Sequence, residues 1–517
     1  MNDVDPWSVL PREEEPLPRP PAPAPHHLPW RPSRDGAAVT PLAEALDAGA
    51  HFDLGLFGRR LKEAEVLDAG AIAAPGAMIM LPFGMGLIRR LDVLARDIYE
   101  AEGYREYDYP HLLPAPILDP TRQVLPGAPL LYAGDDADWA AGHRKAVLSP
   151  TGEAAVYTHW AQTVRQRSDL PLHVYRRARY FRPARAGGSV FRSAESGDVY
   201  EFQSCFPDSG TAARGFTNAV TMARRLCSAM HVPALWSTRP PWTNNTSVAN
   251  VTVGADTPLP HGSTVQVGCV YDQGTRFSRP YGIAHRDSRG RHFTHHVTGA
   301  LTRRLVLTHL VLGMDAHGEL LIHPDLAPVQ VALTLAGGTG QDRADAEALV
   351  TALGQRNIRC ELHVGDRRET GRLHRRWRRQ GVPLRVYLQP RRDADDAIRV
   401  VVVRADTREE AVFRPRLLPD LASVLPAALG EVGIGYLRRS LALAARRVRI
   451  ADRATVRDVL ATRSAAVVPL EPTEEAVDEV ASWGQGEVLG LRRVTATAPC
   501  IHSGRPTDTV AYVSPRV

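Results

Sequence analysis

Between Leu170 and Phe206 the chain reads LPLHVYRRARYFRPARAGGSVFRSAESGDVYEFQSCF, two short apolar runs around a loop of Arg, Gly and Ser. This pattern predicts an antiparallel hairpin with a cationic loop. A guanidinium offers a planar fork of donors that matches phosphate oxygens. Arg179, Arg182, Arg185 and Arg192 are therefore candidates to clamp a nucleotide triphosphate if the strands aim them into a cleft, and a solvated basic hairpin is the plainer reading of the same residues. A second basic stretch, GDRRETGRLHRRWRRQGVPLR, carries eight arginines. Generic attraction to a phosphate backbone and a solvated helix face both account for it.

The elements that would position these groups follow from periodicity. Apolar residues Leu87, Ile88, Leu91, Leu94, Ala95, Ile98 and Tyr99 recur at helical spacing, which predicts a helix from Gly84 to a stop at Gly103. A second helix is expected over Ala154–Val164, with Thr151 of VLSPTGE as its N-cap. Residues 232–293, dense in Thr, Val, Gly and Pro, read as strands and turns, and His296–Leu312 as a helix. This is an α+β pattern. From LAPVQVALTLAGG onward strands alternate with helices. They are a strand at Arg359–Val364, a basic helix at Gly371–Gln380, and the strands VPLRVYL and IRVVVVRA, which together imply a separate α/β domain with a largely buried parallel sheet. The last segment carries a basic helix and short strands. Residues 1–45, centred on PLPRPPAPAPHH, are expected to be a disordered, polyproline-like leader.

At 517 residues the chain has room for two to four domains. Its net charge of +6 comes mainly from Arg and suits an acidic ligand such as ATP or RNA without requiring one. The five cysteines are scattered, which argues against a disulfide framework or a four-thiolate zinc site and favours a reducing cytoplasm. The opening residues lack a basic start followed by an apolar core, so no signal peptide is expected. Ala69–Ile88 is uncharged, but its glycines and prolines predict a buried turn and strand leading into a helix, not a membrane span.

Taken together, these residues resemble a class II aminoacyl-tRNA synthetase, and within that class the prolyl-tRNA synthetases of archaeal and eukaryotic type. GELLIHPDLAPVQVAL and QGVPLRVYLQPR are the most specific segments and match the family's anticodon-binding domain. The resemblance implies a catalytic domain at residues 46–323, built on the class II antiparallel sheet with flanking helices. An α/β anticodon-binding-type domain at 324–432 and a small C-terminal α+β domain at 433–517 would follow. The helix at 84–103 and the segment ending at Pro110 resemble the first signature, which implies a homodimer. In SPTGE, Thr151 and Glu153 fall where the family contacts the amino acid, and a carboxylate there would partner a buried ammonium or iminium.

Arg182 falls on the second-signature arginine at the α-phosphate, and Ala184 on the position of a nucleotide-placing Glu. Losing one such charged hydrogen bond costs roughly 1.5 to 3 kcal/mol. Arg303 in TGALTRR falls on the arginine of the third signature, at the terminal phosphate; Arg304 beside it reads as surface charge. Arg182 and Arg303 are the expected catalytic pair, with Arg192, Gln203 and Gln266 as further ATP contacts. Ser204 and Phe206 replace a Glu and a His of the family pocket. HGSTVQVGCVYDQGTRFS matches a family strand that keeps Gln266 and Gly274, while Tyr271 and Asp272 replace two histidines. Cys269 and Tyr271 thus join Thr151, Glu153, Ser204 and Phe206 as expected amino-acid contacts.

In the anticodon-type domain the resemblance keeps Asp366, Arg367, Gly371 and Trp377, whereas Leu373 and Arg378 replace a Lys and a Glu. Arg367, Trp377 and Arg378 are the expected RNA contacts, with altered base reading, because Arg offers only donors. APCIHSGRP resembles the family's zinc loop but retains only Cys500, with Ser503 at the second thiolate position. One thiolate does not make a structural zinc site, so the expected cofactors are ATP and Mg²⁺ without structural zinc. The expected reaction is ATP-dependent activation of an amino or imino acid as an aminoacyl adenylate, with transfer to tRNA or another acceptor. A catalytically inactive synthetase-like binding protein is the alternative.

Overall fold

A computed structural model describes the chain apart from residues 1–8, 13–15, 26, 34–38, 49–50, 73–76, 127–129, 144, 184–188, 192–194, 243–246, 392–396, 485 and 516–517. In the N-terminal half, helices α1 (Pro82–Ala101) and α2 (Glu153–Thr163) precede the hairpin β1 (Leu172–Phe181) and β2 (Glu195–Phe206), and α3 (Ser209–Ala229) follows. Then come β3 (Leu235–Thr238), β4 (Val251–Pro258), β5 (Thr264–Gly274), β6 (His295–Thr302) and α4 (Arg304–Gly313). Pro82 occupies the first turn of α1, where its missing N–H is harmless. Beyond the helix Gly103 takes φ +82°, a left-handed conformation that a side chain resists. The predicted face of α1 is the buried one: Leu87, Ile88, Leu91, Ala95, Ile98 and Tyr99 enter the main core with α3 and the sheet. The turn before α1 differs from expectation, since Ile72 and Ile79 are exposed.

The expected helix at His296–Leu312 divides into a strand and a helix. Residues 295–302 pair with β5 on one side and β2 on the other, and only Arg304–Gly313 is helical. Both parts are buried on nearly every side, so polar and apolar residues follow no period by which to tell strand from helix.

The next unit contains β7 (Val331–Ala336), α5 (Gly340–Gly354), β8 (Cys360–Gly365), α6 (Arg367–Arg379), β9 (Leu384–Gln389), β10 (Arg399–Arg404) and β11 (Glu410–Phe413). Its sheet order is β8-β7-β9-β10-β11. The first three strands are parallel, but β10 and β11 are antiparallel, so the sheet is mixed where a parallel one was expected. Helix α7 (Leu425–Arg446) leads to β12 (Val448–Ile450), β13 (Ala465–Pro469), β14 (Glu487–Pro499) and β15 (Pro506–Ser514). By length and composition, Leu418–Arg446 is the one helix among the described residues that could cross a membrane, and half of its most apolar window is buried in the protein.

The C-terminal strands continue the main sheet of the N-terminal half. The order is β12-β13-β15-β14-β3-β4-β5-β6-β2-β1, with the two-residue strand Arg105–Glu106 at the far edge. The join is short, Leu491 opposite Thr238. The described part of the leader also departs from the disordered expectation. Leu10, Leu17 and Leu28 are buried, Arg12 pairs with Asp508 at 2.9 Å, and Trp30 Nε1 donates to Glu431 at 2.7 Å. A proline-rich extended segment needs no internal hydrogen bonds, so widely spaced leucines suffice to dock it.

Candidate active site

One face of the sheet at β1, β2, β5 and β6 forms the floor of a cavity of about 570 Å³, closed at one side by the SPTGE loop before α2. The hairpin predicted from sequence is β1–β2, with Arg176 directly opposite Glu201. Strand alternation then sets which side chains enter the cavity. Tyr180, Val199 and Glu201 do, as do Cys269, Tyr271 and Gln273 of β5.

At one end the groups are cationic. Arg182, just past β1, lines the cavity, and its Nε donates to the Pro150 carbonyl at 3.2 Å. Arg303, at the start of α4, donates from Nε to the Gly197 carbonyl at 3.0 Å and lies 3.7 Å from Asp198, which Arg177 also binds. A Cβ at Gly197 would sit 1.9 Å from Arg303 Nη2, so the close approach requires glycine. Arg304 corrects the expectation of surface charge. It lines the cavity, donating to the Phe191 carbonyl and to the Gln266 carbonyl at 3.0 Å each, and so ties the loop after β1 to β5.

The other end is anionic. Glu153 lines the cavity and accepts from the Thr151 hydroxyl and, at 3.2 Å, from Gln273 Nε2. Thr151 is thus not the N-cap of α2; Gly152 holds that position, and the Thr151 hydroxyl serves Glu153. Tyr157 donates to Gln273 Oε1, completing a chain from α2 to β5. Glu201 accepts from Arg176 Nε at 3.1 Å and from the Tyr180 hydroxyl. Burial raises the Glu201 pKa, with Arg176 opposing and Glu153 adding to the rise. Burial works against the charge on Arg176, but Tyr180 and Glu201 more than offset it and its pKa goes up. Burial likewise raises Cys269, while Tyr271 is raised first by Cys269 and then by burial.

Of the expected site residues, Arg182, Arg303, Gln266, Thr151, Glu153, Cys269 and Tyr271 line this one cavity. Others do not. Ser204 and Phe206 lie on the opposite face of β2. The Ser204 hydroxyl bonds Tyr104 at 2.8 Å and His173 at 2.9 Å, and Phe206 packs over Gly215 of α3. Gln203 is buried beyond the cavity, with Nε2 lacking a partner among the described residues. Asp272 faces away from the cavity, toward Asn250. Arg179 is exposed on the outer face of the hairpin. Arg192, like Ala184 and Arg185, lies outside the described residues.

Sequence reading passed over Arg176, Tyr180, Glu201 and Gln273. Their alternation along β1, β2 and β5 is the signal that groups them, but a one-residue change of register reverses the face, and β2 carries an extra residue between Val199 and Ser196, opposite Ala178 to Tyr180.

In the second unit, Asp366 caps α6 by accepting from Glu369 N at 2.7 Å. Trp377 is fully buried against Ala332 and Val382, which corrects its assignment as an RNA contact. Arg378 donates to Glu319 at 2.8 Å and so ties α6 to the junction between units. Arg367, Arg368, Arg372, Arg375 and Arg379 remain on the exposed face. Cys500 is buried, its sulfur accepting from Glu471 N at 3.3 Å, while Ser503 is exposed.

No protein-family model matches the chain. Among curated proteins, the proline–tRNA ligase of Methanoculleus marisnigri is 28% identical over 466 residues, covering 87% of this chain and 91% of that protein. That of Pyrobaculum neutrophilum is 29% identical, covering 68% and 72%. The chain is a class II prolyl-tRNA synthetase-like protein. Solved structures agree on its fold. Prolyl-tRNA synthetase of Giardia lamblia, in complex with prolyl-adenylate, superposes with a TM-score of 0.80 at 17% identity, covering 93% of this chain and 99% of that one. The enzyme of Cryptosporidium parvum, complexed with halofuginone and AMPPNP, gives 0.78 at 17% identity, covering 89% and 97%. The synthetase-like fold thus extends through the C-terminal strands as well as the catalytic sheet.

Proposed function

We propose that the protein is an AMP-forming ligase that activates an amino or imino acid with ATP. The observation that carries this reading is the polarity of one cavity, with Arg182 and Arg303 at one end and Glu153 at the other. A zwitterionic amino acid and a triphosphate fit that polarity in one order only. Glu153, held by Thr151 and Gln273, takes the α-ammonium or iminium and leaves the carboxylate turned toward the arginines. A carboxylate oxygen then attacks the α-phosphorus, the bond to the β-phosphate oxygen breaks, and pyrophosphate leaves. The carboxylate is already ionised, so no general base is needed. What remains is to stabilise charge on the phosphoryl oxygens, the task that fixed guanidinium donors perform best. Mg²⁺ fits as a companion of the triphosphate, neutralising it, because Asp198 at that end is already shared by Arg177 and Arg303.

The names of the curated relatives support tRNA as acceptor, and the exposed arginines of α6 support contact with its phosphates. The scattered free cysteines suit a cytoplasmic enzyme, and the resemblance at Pro110 suits a homodimer. ATP–pyrophosphate exchange across a panel of amino and imino acids tests the central claim. Exchange with at least one substrate, abolished by Arg182→Ala, is the expected result. A folded protein that exchanges with none would leave the inactive, ligand-binding reading in its place.

A further inference from the structure

Resting on the reading of this cavity as an aminoacyl-adenylate site, we propose that Glu201 selects an amino or imino acid whose side chain carries a neutral hydrogen-bond donor, a hydroxyl or an amide, in preference to proline or an aliphatic residue. Glu201 is buried, 5% exposed, yet lines the cavity. Its Oε2 is committed to Arg176 and Tyr180, and its Oε1 has no partner among the described residues. The pair is built in, not incidental. Arg176 and Glu201 face each other across β1 and β2, and Arg176 also donates to the Tyr180 hydroxyl at 2.8 Å and lies over the Tyr109 ring. A Cβ at Gly152 would meet Glu201 Oε2 at 1.9 Å and Arg176 Nη2 at 2.6 Å, so the loop bearing Thr151 and Glu153 closes directly on the pair.

A bound substrate expels water from this corner. An apolar side chain would then leave Oε1 desolvated and unpaired, the situation that polar sites use to reject analogues lacking a donor. Glu153 is engaged with the α-amino group, so the donor must come from the side chain. Arg176 already supplies the counter-charge to Glu201, which favours a neutral donor over a second ammonium.

The test compares matched pairs in ATP–pyrophosphate exchange: Thr with Val, Ser with Ala, 4-hydroxyproline with Pro, Gln with Leu. It is repeated as thermal stabilisation by the corresponding 5′-O-(aminoacyl)sulfamoyl adenosines, which read binding without chemistry. The donor-bearing member of the best pair is expected to exceed its partner at least tenfold in both readouts. Glu201→Gln keeps an acceptor and should keep the preference. Glu201→Leu with Arg176→Met removes both charges and should bring the ratio to about one. Proline or an aliphatic substrate winning its pair overturns the inference while leaving the ligase reading intact, and so does an unchanged ratio in the double variant. Absent exchange, with stabilisation by donor-bearing analogues only, removes the ligase reading and upholds this one. Failure to bind any analogue overturns it.

Discussion

Replacing Gly197 by Ala tests the cationic end of the cavity without touching a charge. The added Cβ would lie 1.9 Å from Arg303 Nη2 and 2.8 Å from its Cζ, where an unstrained contact needs about 3.5 Å. The guanidinium is the far end of a long, flexible side chain, so it moves by roughly 1.5 Å and the backbone stays. Stability should therefore change by less than about 1 kcal/mol. The position of the charge will not survive, because the Nε bond to the Gly197 carbonyl at 3.0 Å is what aims it. A displacement of about 1 Å at a reacting group costs about 100-fold, or ~2.7 kcal/mol of barrier. Exchange at saturating amino acid, measured against ATP concentration, should fall by that factor with the melting temperature nearly unchanged. Gly197→Ala combined with Arg303→Ala should be no worse than Arg303→Ala alone, since both act through one group. An exchange rate within threefold of the parent would refute the assignment of Arg303 to the nucleotide.

Four further outcomes follow from the same structure. Trp377→Ala should destabilise the protein by about 3 to 5 kcal/mol in chemical denaturation, because the ring is core. Gly430→Ala, within α7 and meeting nothing within 4 Å, should stabilise it by about 0.5 to 1 kcal/mol in the same assay. Burial depresses His261 to about 4 and His296, His323 and His374 to about 3, below the value of about 6.5 in the unfolded chain. The unfolded chain then binds more protons between about pH 3 and 6.5, so the denaturation midpoint should hold above that window and drop as pH falls through it. Changing Arg368, Arg372, Arg375 and Arg379 together to Glu should weaken tRNA retention and flatten its salt dependence by about one unit of slope per lost phosphate contact. An unchanged slope would remove α6 from the RNA-binding surface.

Local signals in the chain were sufficient wherever one face of an element meets the core and the other meets water. Helix α1 is such a case: the face carrying Leu87, Ile88, Leu91, Ala95, Ile98 and Tyr99 is the buried one. The family resemblance, not spacing by itself, singled out Arg182, Arg303, Thr151 and Glu153, and all four line one cavity. Where both faces are buried the periodic signal vanishes, and the helix expected over 296–302 is a strand. The leader departs from its disordered expectation because Leu17 and Leu28 join clusters formed by residues hundreds of positions away, which no local signal announces.

What periodicity determined, then, is the class of fold, and what the family resemblance added is the set of candidate residues at the two charged ends of the cavity. Tertiary structure alone decided which side of β2 faces the cavity. That choice sends Ser204 to Tyr104 and His173 and Phe206 to α3, and brings Glu201 inside, opposite Arg176. It likewise buried Trp377 and turned Arg304 into a tie between the loop and β5. The physical reason is that a strand shows its two faces in strict alternation, and which face meets a cavity depends on how several distant strands are registered together, a property no single segment contains.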